Sequence, residues 1–442
     1  MRWRERRRTG RAAIAVACGL IAALVLTACV AGRHGRLGPR FVTPPLIHYT
    51  SVLWPVPLQL VGVEPGSRIR LEASLDTGHG RWSSSATYTV PASGTVDLAT
   101  AKPQLAAFTE PDSAGLFWSL RGPDIDPSDL MQLWMRSTVS VAIDAQENGR
   151  VVASREFVLD GLGSDVPPIT VSAFDIADAA EAAGEDFPSP RSVEDIAVGA
   201  YFSARSAERP RRPVVIVFDD PAVGASSDYV GPLLSQFGAA VFVLPVRSTA
   251  PGVYAASVID SSKFGAVLDW LIQRPEVDGR HIFTYGTSQS AQFALWAATR
   301  FSDRVAGVFA AGGATAMLCL RGAHVPPVFE NGARTPCQRG SDRIVASRVL
   351  PLRSVSGPVV AACAGRDEVL PNACAWLEAA IRDRGQRAGD TIVRAPESVH
   401  AMTVPPGLPI ALPEGAAAQA TEKARVAFWD AVGGVLLRAA QR

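Results

Sequence analysis

One serine in this chain has neighbours suited to nucleophilic catalysis. It is Ser288 in the segment 286–290, Gly-Thr-Ser-Gln-Ser, which follows a short apolar run and precedes the helical stretch 291–298. A strand, a tight turn and a helix in this order can hold a serine hydroxyl at the end of a strand, ready to attack a carbonyl carbon. The turn is strained and needs small residues two positions before and after the serine, and Gly286 and Ser290 are small. Taken alone, the pattern also fits an ordinary serine at the start of a helix.

A serine hydroxyl becomes a good nucleophile only when a base accepts its proton. Two histidines follow Ser288 in the chain, His324 and His400. His324 lies in a Pro/Gly-rich segment, before any strand that could supply an acid. His400 lies in a loop just after the strand-like run 391–393, where the histidine belongs when the order is serine, acid, histidine. We therefore predict that His400 is the base.

The acid that orients the histidine is expected at the end of a strand between Ser288 and His400. The run 358–363, Pro-Val-Val-Ala-Ala-Cys, is typical of a buried strand, and Asp367 follows it closely. We assign Asp367 as the acid, with its neighbour Glu368 as the main competitor. A turn or helix-start aspartate is the purely structural alternative at this position. Three residues in this order at three strand ends predict a Ser–His–Asp triad on an α/β-hydrolase fold.

The elements that must position these residues begin near residue 198. Apolar runs alternate with helical stretches from there, which predicts a mostly parallel sheet with helices on both faces. The interval 317–350 breaks this rhythm, and we expect it to be a cap segment of an α/β-hydrolase domain at 198–442. The predicted strands lie at 213–218, 239–246, 281–285, 305–311, 358–363 and 391–393, and the predicted helices at 259–273, 289–300, 373–384 and 416–440.

The sequence before this region has a different pattern. Segments such as 68–75, 86–90 and 139–143 alternate apolar and polar residues and are separated by turn residues. Short alternating strands without a long amphipathic helix predict an N-terminal all-β immunoglobulin-like sandwich, which we place at 43–162. Residues 163–197 are rich in Pro, Ala, Asp, Glu and Ser. We expect them to be a linker between the two domains.

The N-terminus has the features of an export signal. Residues 1–28 have a basic head, an apolar body and small residues at the end, as in a secretory signal peptide. The segment 26–29, Leu-Thr-Ala-Cys, resembles a bacterial lipobox, which would make Cys29 the lipidated first residue of the mature protein, followed by a tether at 29–42. A plain signal peptide or an uncleaved anchor helix is the alternative. We expect a protein that is lipid-anchored at the extracytoplasmic face of the bacterial cell membrane.

The composition indicates a globular protein without a nucleic-acid partner. Of its 442 residues, 48% are hydrophobic and 19% are charged, and the formal net charge is +1. Removal of residues 1–28, which contain six arginines and one glutamate, would make the net charge slightly negative. Beyond residues 1–28 the chain has no basic stripe or cluster of Lys and Arg of the kind that binds nucleic acid.

Four cysteines remain beyond the signal segment and the lipidation site, an even number that fits disulfides in an oxidising compartment. They are Cys319, Cys337, Cys363 and Cys374. Three pairings are possible, and we favour Cys319–Cys337 and Cys363–Cys374, each of which closes a short loop. The second bridge would clamp the loop that carries Asp367. The spacings fit no structural zinc pattern, and we predict neither a metal nor a cofactor.

Several longer strings extend the pattern over both halves of the chain. In the N-terminal half they are 69–74, 95–98 and above all 114–120, Ala-Gly-Leu-Phe-Trp-Ser-Leu. In the C-terminal half they are 267–271, 275–278 and 286–292, together with Asp367 ahead of Pro371, and His400. With these strings the chain resembles, over about residues 45–435, the acyl-CoA thioesterase / bile acid-CoA:amino acid N-acyltransferase family. The resemblance implies an immunoglobulin-like sandwich followed by an α/β-hydrolase domain.

Two departures from the family's pattern bear on the chemistry. Many members have a glycine-rich loop after the first long hydrolase strand, but here the segment 218–224 reads Phe-Asp-Asp-Pro-Ala-Val-Gly. We expect one oxyanion donor at the backbone N–H of Gln289 and a second at Ala222. Losing one such donor costs about 10²–10³ in rate, so we expect a slower enzyme than its relatives. Many relatives also have Lys or Arg where this chain has Gln289, so binding of the CoA phosphates is not implied.

The triad and the resemblance together predict a serine hydrolase that cleaves acyl thioesters or esters through an acyl-enzyme on Ser288. CoA thioesters are intracellular, whereas this domain is expected to face outward. An ester, a thioester or a lipid-linked acyl group of the envelope is therefore as consistent a substrate as acyl-CoA. Two alternatives stay open. One is an acyltransferase that uses an amine or alcohol acceptor, and the other is a catalytically degenerate binding lipoprotein, which the carboxylates at 219–220 favour.

Overall fold

The computed structural model of the protein describes most of the chain between residues 38 and 441. The signal segment, Cys29 and most of the tether lie outside the described residues. None of the described helices is both long and apolar enough to cross a bilayer. The described ranges are 38–43, 49–51, 57–123, 138–160, 168–184, 197–203, 211–219, 226–246, 259–319, 327–330, 333–409, 412–413 and 415–441.

The N-terminal part consists of two mainly antiparallel sheets. The strands are β1 (Arg40–Val42), β2 (Tyr49–Ser51), β3 (Gln59–Val61), β4 (Arg68–Thr77), β5 (Gly80–Thr89), β6 (Thr95–Asp97), β7 (Thr138–Glu147) and β8 (Arg150–Asp160), with the short helix α1 (Gly115–Trp118) before β7.

The larger sheet has the strand order β2-β8-β7-β4-β5 and the smaller one the order β1-β3-β6. In β4 every second residue is buried, including Ile69 and Leu71, as the alternating sequence predicts. Leu60 and Val96 of the smaller sheet belong to the same core as these residues. The immunoglobulin-like class of this part stays a prediction.

The second part of the chain alternates strands and helices. Its elements are β9 (Ile169–Ser172), α2 (Ala173–Ala183), β10 (Ala197–Phe202), β11 (Arg212–Asp219), α3 (Ser226–Ser235), β12 (Ala240–Pro245), β13 (Ile259–Asp260), α4 (Ser261–Ile272), β14 (Val277–Thr287), α5 (Ala291–Arg300), β15 (Gly307–Ala311), β16 (Val328–Glu330), β17 (Ala333–Arg334), β18 (Val359–Ala364), α6 (Ala373–Arg384), β19 (Thr391–Ala395) and α7 (Ala416–Gln441).

Eight of these strands form one sheet with the order β19-β18-β15-β14-β11-β12-β10-β9. The six strands from β19 to β12 are parallel. At one edge, β10 runs antiparallel to both of its neighbours, β12 and β9. Parallel strands end at the same side of a sheet, so the ends of β14, β18 and β19 lie along one rim. The mostly parallel sheet of an α/β-hydrolase, as predicted from the sequence, is confirmed.

The sheet is buried on both faces. Val214, Ile216 and Phe218 of β11 pack in one core with α4, α5 and α6. The alternate residues Val215 and Val217 pack in a second core with α3 and α7. Since both faces are covered, the strand reads as a continuous apolar run rather than an alternating one. The second core is continuous with that of the N-terminal sheets.

The linker prediction for residues 163–197 was wrong for the part that is described. β9 pairs antiparallel with β10 at the edge of the large sheet, and Val171 and Ile176 are buried in its core. The surrounding Pro, Ala and acidic residues obscured these two short elements. One sequence signal was present: Ser172 and Asp175 have the spacing of a capping box, and the Ser172 N–H donates to Asp175 Oδ2 at 2.8 Å.

The predicted cap segment 317–350 is described in parts. The bridge Cys319–Cys337 joins two stretches of it. The backbone N–H of Leu318 donates to Gln292 Oε1 of α5 at 2.9 Å, which ties the start of the segment to the helix that follows Ser288. The role of this segment as a cap stays a prediction.

Candidate active site

Ser288 lies directly after β14 in a backbone conformation that few residues adopt. Its φ is 53°, in the left-handed region, and Asn148 is the only other non-glycine residue with a positive φ in the described part of the chain. Such a conformation costs about 1–3 kcal/mol and persists only where the surroundings enforce it. The 3-10 turn Ser288–Ser290 then leads into α5. The hydroxyl is thus presented at the C-terminal end of a central strand.

Small neighbours make this turn possible. A Cβ atom on Gly286 would lie 2.4 Å from the carbonyl oxygen of Ser290, and one on Gly313 would lie 2.4 Å from that of Ser288. Ser290, at the position where a second glycine is usual, closes the turn: its Oγ accepts from the Thr287 N–H and donates to the Thr287 carbonyl, both at 2.9 Å. The turn therefore accommodates a serine at this position, because the side chain is small and its hydroxyl forms two hydrogen bonds within the turn.

The structure brings His400 into contact with Ser288. His400 opens a short 3-10 turn after β19, and its Nε2 is 2.9 Å from Ser288 Oγ. Its Nδ1 is 2.8 Å from Asp367 Oδ1 and 2.9 Å from Oδ2. An ionised carboxylate only accepts hydrogen bonds, so Nδ1 carries the proton and Nε2 is free to accept one from the serine hydroxyl. The three residues that lie far apart in the sequence form one hydrogen-bonded chain.

Asp367 is fixed more firmly than any other group of this chain of contacts. Its side chain is 0% exposed, against 13% for His400. Asp367 Oδ1 also accepts from the backbone N–H groups of Val369 at 3.0 Å and Leu370 at 2.7 Å. Hydrogen bonds from these two backbone groups hold the orientation of the buried carboxylate. The position combines a turn aspartate with a histidine partner, so the two alternatives for it are not exclusive.

The disulfide Cys363–Cys374 closes the loop that carries Asp367. It joins the end of β18 to the first turn of α6, with a sequence separation of 11 residues. Both pairings chosen from the sequence are the ones in the structure. The acid is thereby tied to a strand on one side and to a helix on the other.

Glu368, the competing acid, has a different partner. Its Oε2 accepts a hydrogen bond from the backbone N–H of His400 at 3.1 Å. The imidazole therefore contacts Asp367 and the backbone of the same histidine contacts Glu368. Sequence reasoning considered Glu368 only as a substitute for Asp367, and nothing in the sequence signals that the two neighbours act on different parts of one residue.

Sequence reasoning also missed the glycine pair after β15. Gly312 has φ 61°, and a Cβ on it would lie 2.5 Å from Thr403 Cγ2 and 3.8 Å from His400 Cε1. Gly312 and Gly313 together leave room for the loop of His400 on one side and the turn of Ser288 on the other. Consecutive glycines directly after an apolar strand were the signal that could have identified them.

Of the two expected oxyanion donors, the structure places one. Gln289 follows Ser288 within the 3-10 turn and is exposed. Ala222 lies outside the described residues, as do Asp220 and Pro221, and β11 is described as far as Asp219.

The described residues contain no group of three or more metal-ligating side chains. The four cysteines beyond residue 29 are engaged in the two disulfides. The side chains that the structure brings into contact at this site are a serine, an imidazole and a carboxylate.

Comparison with known proteins supports the resemblance found in the sequence. Residues 54–172 match the family model described as the acyl-CoA thioester hydrolase/BAAT N-terminal region, which is the family that the sequence indicated. No curated protein matches the chain.

Among solved structures, the chain is similar to a dienelactone hydrolase-like promiscuous phosphotriesterase from metagenomic libraries, with 15% identity, 55% of this chain and 92% of that chain covered, and a TM-score of 0.35. It is also similar to a carboxylesterase from Lactobacillus plantarum, with 15% identity, 54% and 93% covered, and a TM-score of 0.36. A bacterial heroin esterase matches with 13% identity, 55% and 80% covered, and a TM-score of 0.38. These scores are low, so the fold assignment rests on the strand order and on the turn at Ser288.

Proposed function

We propose that this protein is a serine hydrolase that cleaves acyl esters or thioesters through an acyl-enzyme on Ser288. One observation carries the proposal: an unbroken chain of hydrogen-bond contacts runs from Ser288 Oγ through His400 to Asp367, and it starts at a serine held in a strained backbone conformation. Nucleophile, base and orienting acid within hydrogen-bond reach are the geometric signature of covalent acyl transfer.

In the first step, Ser288 Oγ attacks the carbonyl carbon of the acyl group while His400 Nε2 accepts the hydroxyl proton. Asp367 keeps the Nδ1 proton in place and stabilises the imidazolium that forms. The negative charge on the former carbonyl oxygen faces the backbone N–H of Gln289, with Ala222 as the proposed second donor. The intermediate then collapses, His400 returns the proton to the leaving alcohol or thiol, and the acyl group stays on Ser288.

In the second step, a water molecule attacks the acyl-enzyme. His400 accepts a proton from the water, the bond from the acyl carbon to Ser288 Oγ breaks, and the proton passes to that oxygen. A carboxylic acid leaves and the serine is regenerated.

We propose an acyl group of the cell envelope as the substrate. The family of the N-terminal region supports thioester or amide-forming acyl chemistry, whereas the expected outward location favours an ester, thioester or lipid-linked acyl donor over intracellular acyl-CoA. A transferase would use the same acyl-enzyme and differ only in the acceptor.

The test is labelling of the purified protein with a fluorophosphonate probe, which reacts with activated serines. We expect stoichiometric labelling of Ser288 and none in Ser288→Ala or His400→Ala. His281→Ala is the matched control, because His281 Nδ1 also contacts an aspartate, Asp278, at 2.9 Å, but earlier in β14. Intact folding without labelling of the wild-type protein would leave a binding protein as the interpretation.

A panel of p-nitrophenyl esters and acyl thioesters of increasing chain length then defines the substrate class. Product analysis with added glycine, taurine or an alcohol distinguishes a hydrolase, which uses water as the acceptor, from a transferase. We expect free acid as the main product. An acyl amide or a new ester as the main product would replace the hydrolase by a transferase.

We also propose that the mature protein is anchored through a lipid on Cys29. The support is the sequence of residues 1–29, a basic head and an apolar body that end in Leu-Thr-Ala-Cys. Metabolic labelling with an alkyne fatty acid should mark the wild type and not Cys29→Ser. A Cys29→Ser protein that is labelled equally would exclude this anchor.

A further inference from the structure

The first turns of α7 lie between the loop of His400 and the N-terminal sheets. Thr421, Glu422 and Arg425 are buried there, at 0%, 3% and 0% exposure. Charged side chains are almost never fully buried unless they are paired. The hydrogen-bond partners of these three side chains therefore show which segments this part of α7 holds in place.

Two of these side chains bind the backbone on either side of His400. Thr421 Oγ1 accepts a hydrogen bond from the N–H of Val399 at 3.2 Å. Arg425 Nε donates to the carbonyl oxygen of Ala401 at 2.9 Å. The residue before His400 and the residue after it are thus tied to one helix.

The same helix binds the continuation of this loop. Arg425 Nη1 donates to the carbonyl oxygen of Leu408 at 2.9 Å, and Glu422 Oε1 accepts from the N–H of Gly407. Arg425 Nη1 also lies 3.4 Å from Glu422 Oε2, so each buried charge has a partner. A guanidinium with several donors in fixed directions can hold two carbonyl groups and a carboxylate at once, which an ammonium cannot.

On its other side, the start of α7 contacts the N-terminal domain. Gln419 Oε1 accepts hydrogen bonds from the N–H and the Oγ1 of Thr109, both at 3.0 Å. Arg121 Nη2 donates to the carbonyl oxygen of Pro413, just before the helix, at 2.9 Å. Gln419 and Arg425 are six residues apart, about 9 Å along a rigid helix, so a shift at one is carried to the other.

We propose that α7 positions His400 for catalysis and that the N-terminal domain, through Thr109 and Arg121, sets the position of α7. The inference rests on the proposed function, in which it gives the N-terminal sheets a part. Arg425 and Gln419 are positioning residues, because they act on the imidazole through the loop and do not contact the reacting atoms.

The competing explanation is that these contacts only stabilise the fold. Arg425→Lys keeps the charge beside Glu422 but not the bonds to both carbonyls, and Gln419→Leu removes the acceptor for Thr109 at similar volume. Thr109→Val is a milder variant in case either of these fails to fold. Val432→Ala is the control, because Val432 is a buried core residue of the same helix and its loss destabilises by packing alone.

We expect Arg425→Lys to lower kcat about 100-fold and Gln419→Leu about fivefold, with KM nearly unchanged, because small misplacements far from the chemistry act on the reacting geometry. Val432→Ala should lower Tm and leave kcat of the folded protein unchanged. Retention of wild-type kcat in both Arg425→Lys and Gln419→Leu would overturn the proposal, as would losses that match the unfolded fraction.

A readout without turnover separates this inference from the proposed function. The ¹⁵N imidazole spectrum of labelled protein, with His400 assigned through His400→Gln, should show the Nδ1–H tautomer in the wild type and in Val432→Ala. In Gln419→Leu and Arg425→Lys we expect a tautomer mixture. An unchanged His400 signal in these variants would exclude positioning by α7, whether or not the protein hydrolyses an ester. If the spectra change as expected but the wild-type protein turns over no ester, the result would count against the proposed function alone.

Discussion

Two histidine–aspartate pairs, one at the rim of the large sheet and one within it, have nearly the same contact and different surroundings. His400 Nδ1 lies 2.8 Å from Asp367, and His281 Nδ1 lies 2.9 Å from Asp278. The first pair is at the rim where the parallel strands end, whereas the second lies within β14, before its C-terminal end. Only the first has the hydroxyl of Ser288 at the other imidazole nitrogen.

The two carboxylates also differ in what else they bind. Arg280 forms hydrogen bonds with Asp278 and holds the pKa of that carboxyl well below its usual range, with His281 as a further cause. Asp367 instead accepts two backbone N–H groups from its own loop. A histidine beside an aspartate is therefore not enough to identify a site; the contact of His400 Nε2 with a serine in a strained turn distinguishes the first pair.

The largest expected effect comes from the acid itself. Asp367→Asn should lower kcat about 10³–10⁴-fold, because the amide donates to Nδ1 and enforces the wrong imidazole tautomer. Asp278→Asn is the matched change in the other pair and should leave kcat unchanged. Ester hydrolysis assays on both variants, with circular dichroism to verify folding, make the comparison. Equal losses in the two would mean that the difference between the pairs does not concern catalysis.

The next prediction concerns the disulfide beside Asp367. Cys363→Ala/Cys374→Ala should lower the free energy of unfolding by about 3 kcal/mol, as for other short loops. It should also lower kcat about tenfold, because Asp367 would be held less firmly. A tenfold loss corresponds to about 1.36 kcal/mol of transition-state stabilisation. Cys319→Ala/Cys337→Ala should have a similar effect on unfolding in urea and a smaller one on kcat. If both double variants lose the same activity, the clamp on Asp367 has no specific role.

A smaller effect is expected at Glu368, which holds the backbone of His400. Glu368→Ala removes the acceptor and should lower kcat about fivefold, since a hydrogen bond contributes about 1 kcal/mol. Glu368→Gln keeps an acceptor oxygen and should restore most of the rate. Equal rates in Glu368→Ala and the wild type would remove Glu368 from the site.

The smallest effect on activity, but a clear one on stability, is expected at Glu422. Burial raises the pKa of Glu422 to about 7, opposed by Arg425 and the N–H of Gly407 and reinforced by Asp112. A carboxyl whose pKa is higher in the folded state than the ordinary 4.5 binds its proton more tightly when folded. Its contribution is therefore complete below pH 4.5 and is lost as the pH rises through 7, by about 3 kcal/mol at most.

Urea unfolding at pH 5 and pH 8 measures this term. The wild type should lose more stability over this interval than Glu422→Gln, which does not titrate. Asp278 is the opposite case, because its pKa is lower in the folded state than in the unfolded state. Its carboxylate therefore stabilises the fold at pH values above the pKa of the unfolded state, and this stabilisation is lost only in acid. Parallel pH profiles for wild type and Glu422→Gln would show that the carboxyl is ionised in both states.

Local sequence patterns were sufficient for the six parallel strands of the large sheet. The predicted helix at 373–384 has the same bounds as α6, and the runs 213–218 and 358–363 differ from β11 and β18 by one residue at either end. Periodicity and turn residues act over a few positions, so they can be read without the rest of the chain. β9 was missed because a four-residue strand provides almost no period, and α2 because it lies in a segment rich in Pro, Ala and acidic residues.

The sequence by itself determined that a serine, an acid and a histidine would end three strands of a parallel sheet, because apolar strand runs and small turn residues are local properties. The tertiary structure decided which carboxylate faces the imidazole, since Asp367 and Glu368 are neighbours in the chain and differ only in the direction of their side chains. It also decided that Thr421 and Arg425 hold the loop of His400 and that Thr109 holds their helix. Contacts between residues hundreds of positions apart leave no periodic trace in one sequence, and they form only when the core brings the elements together.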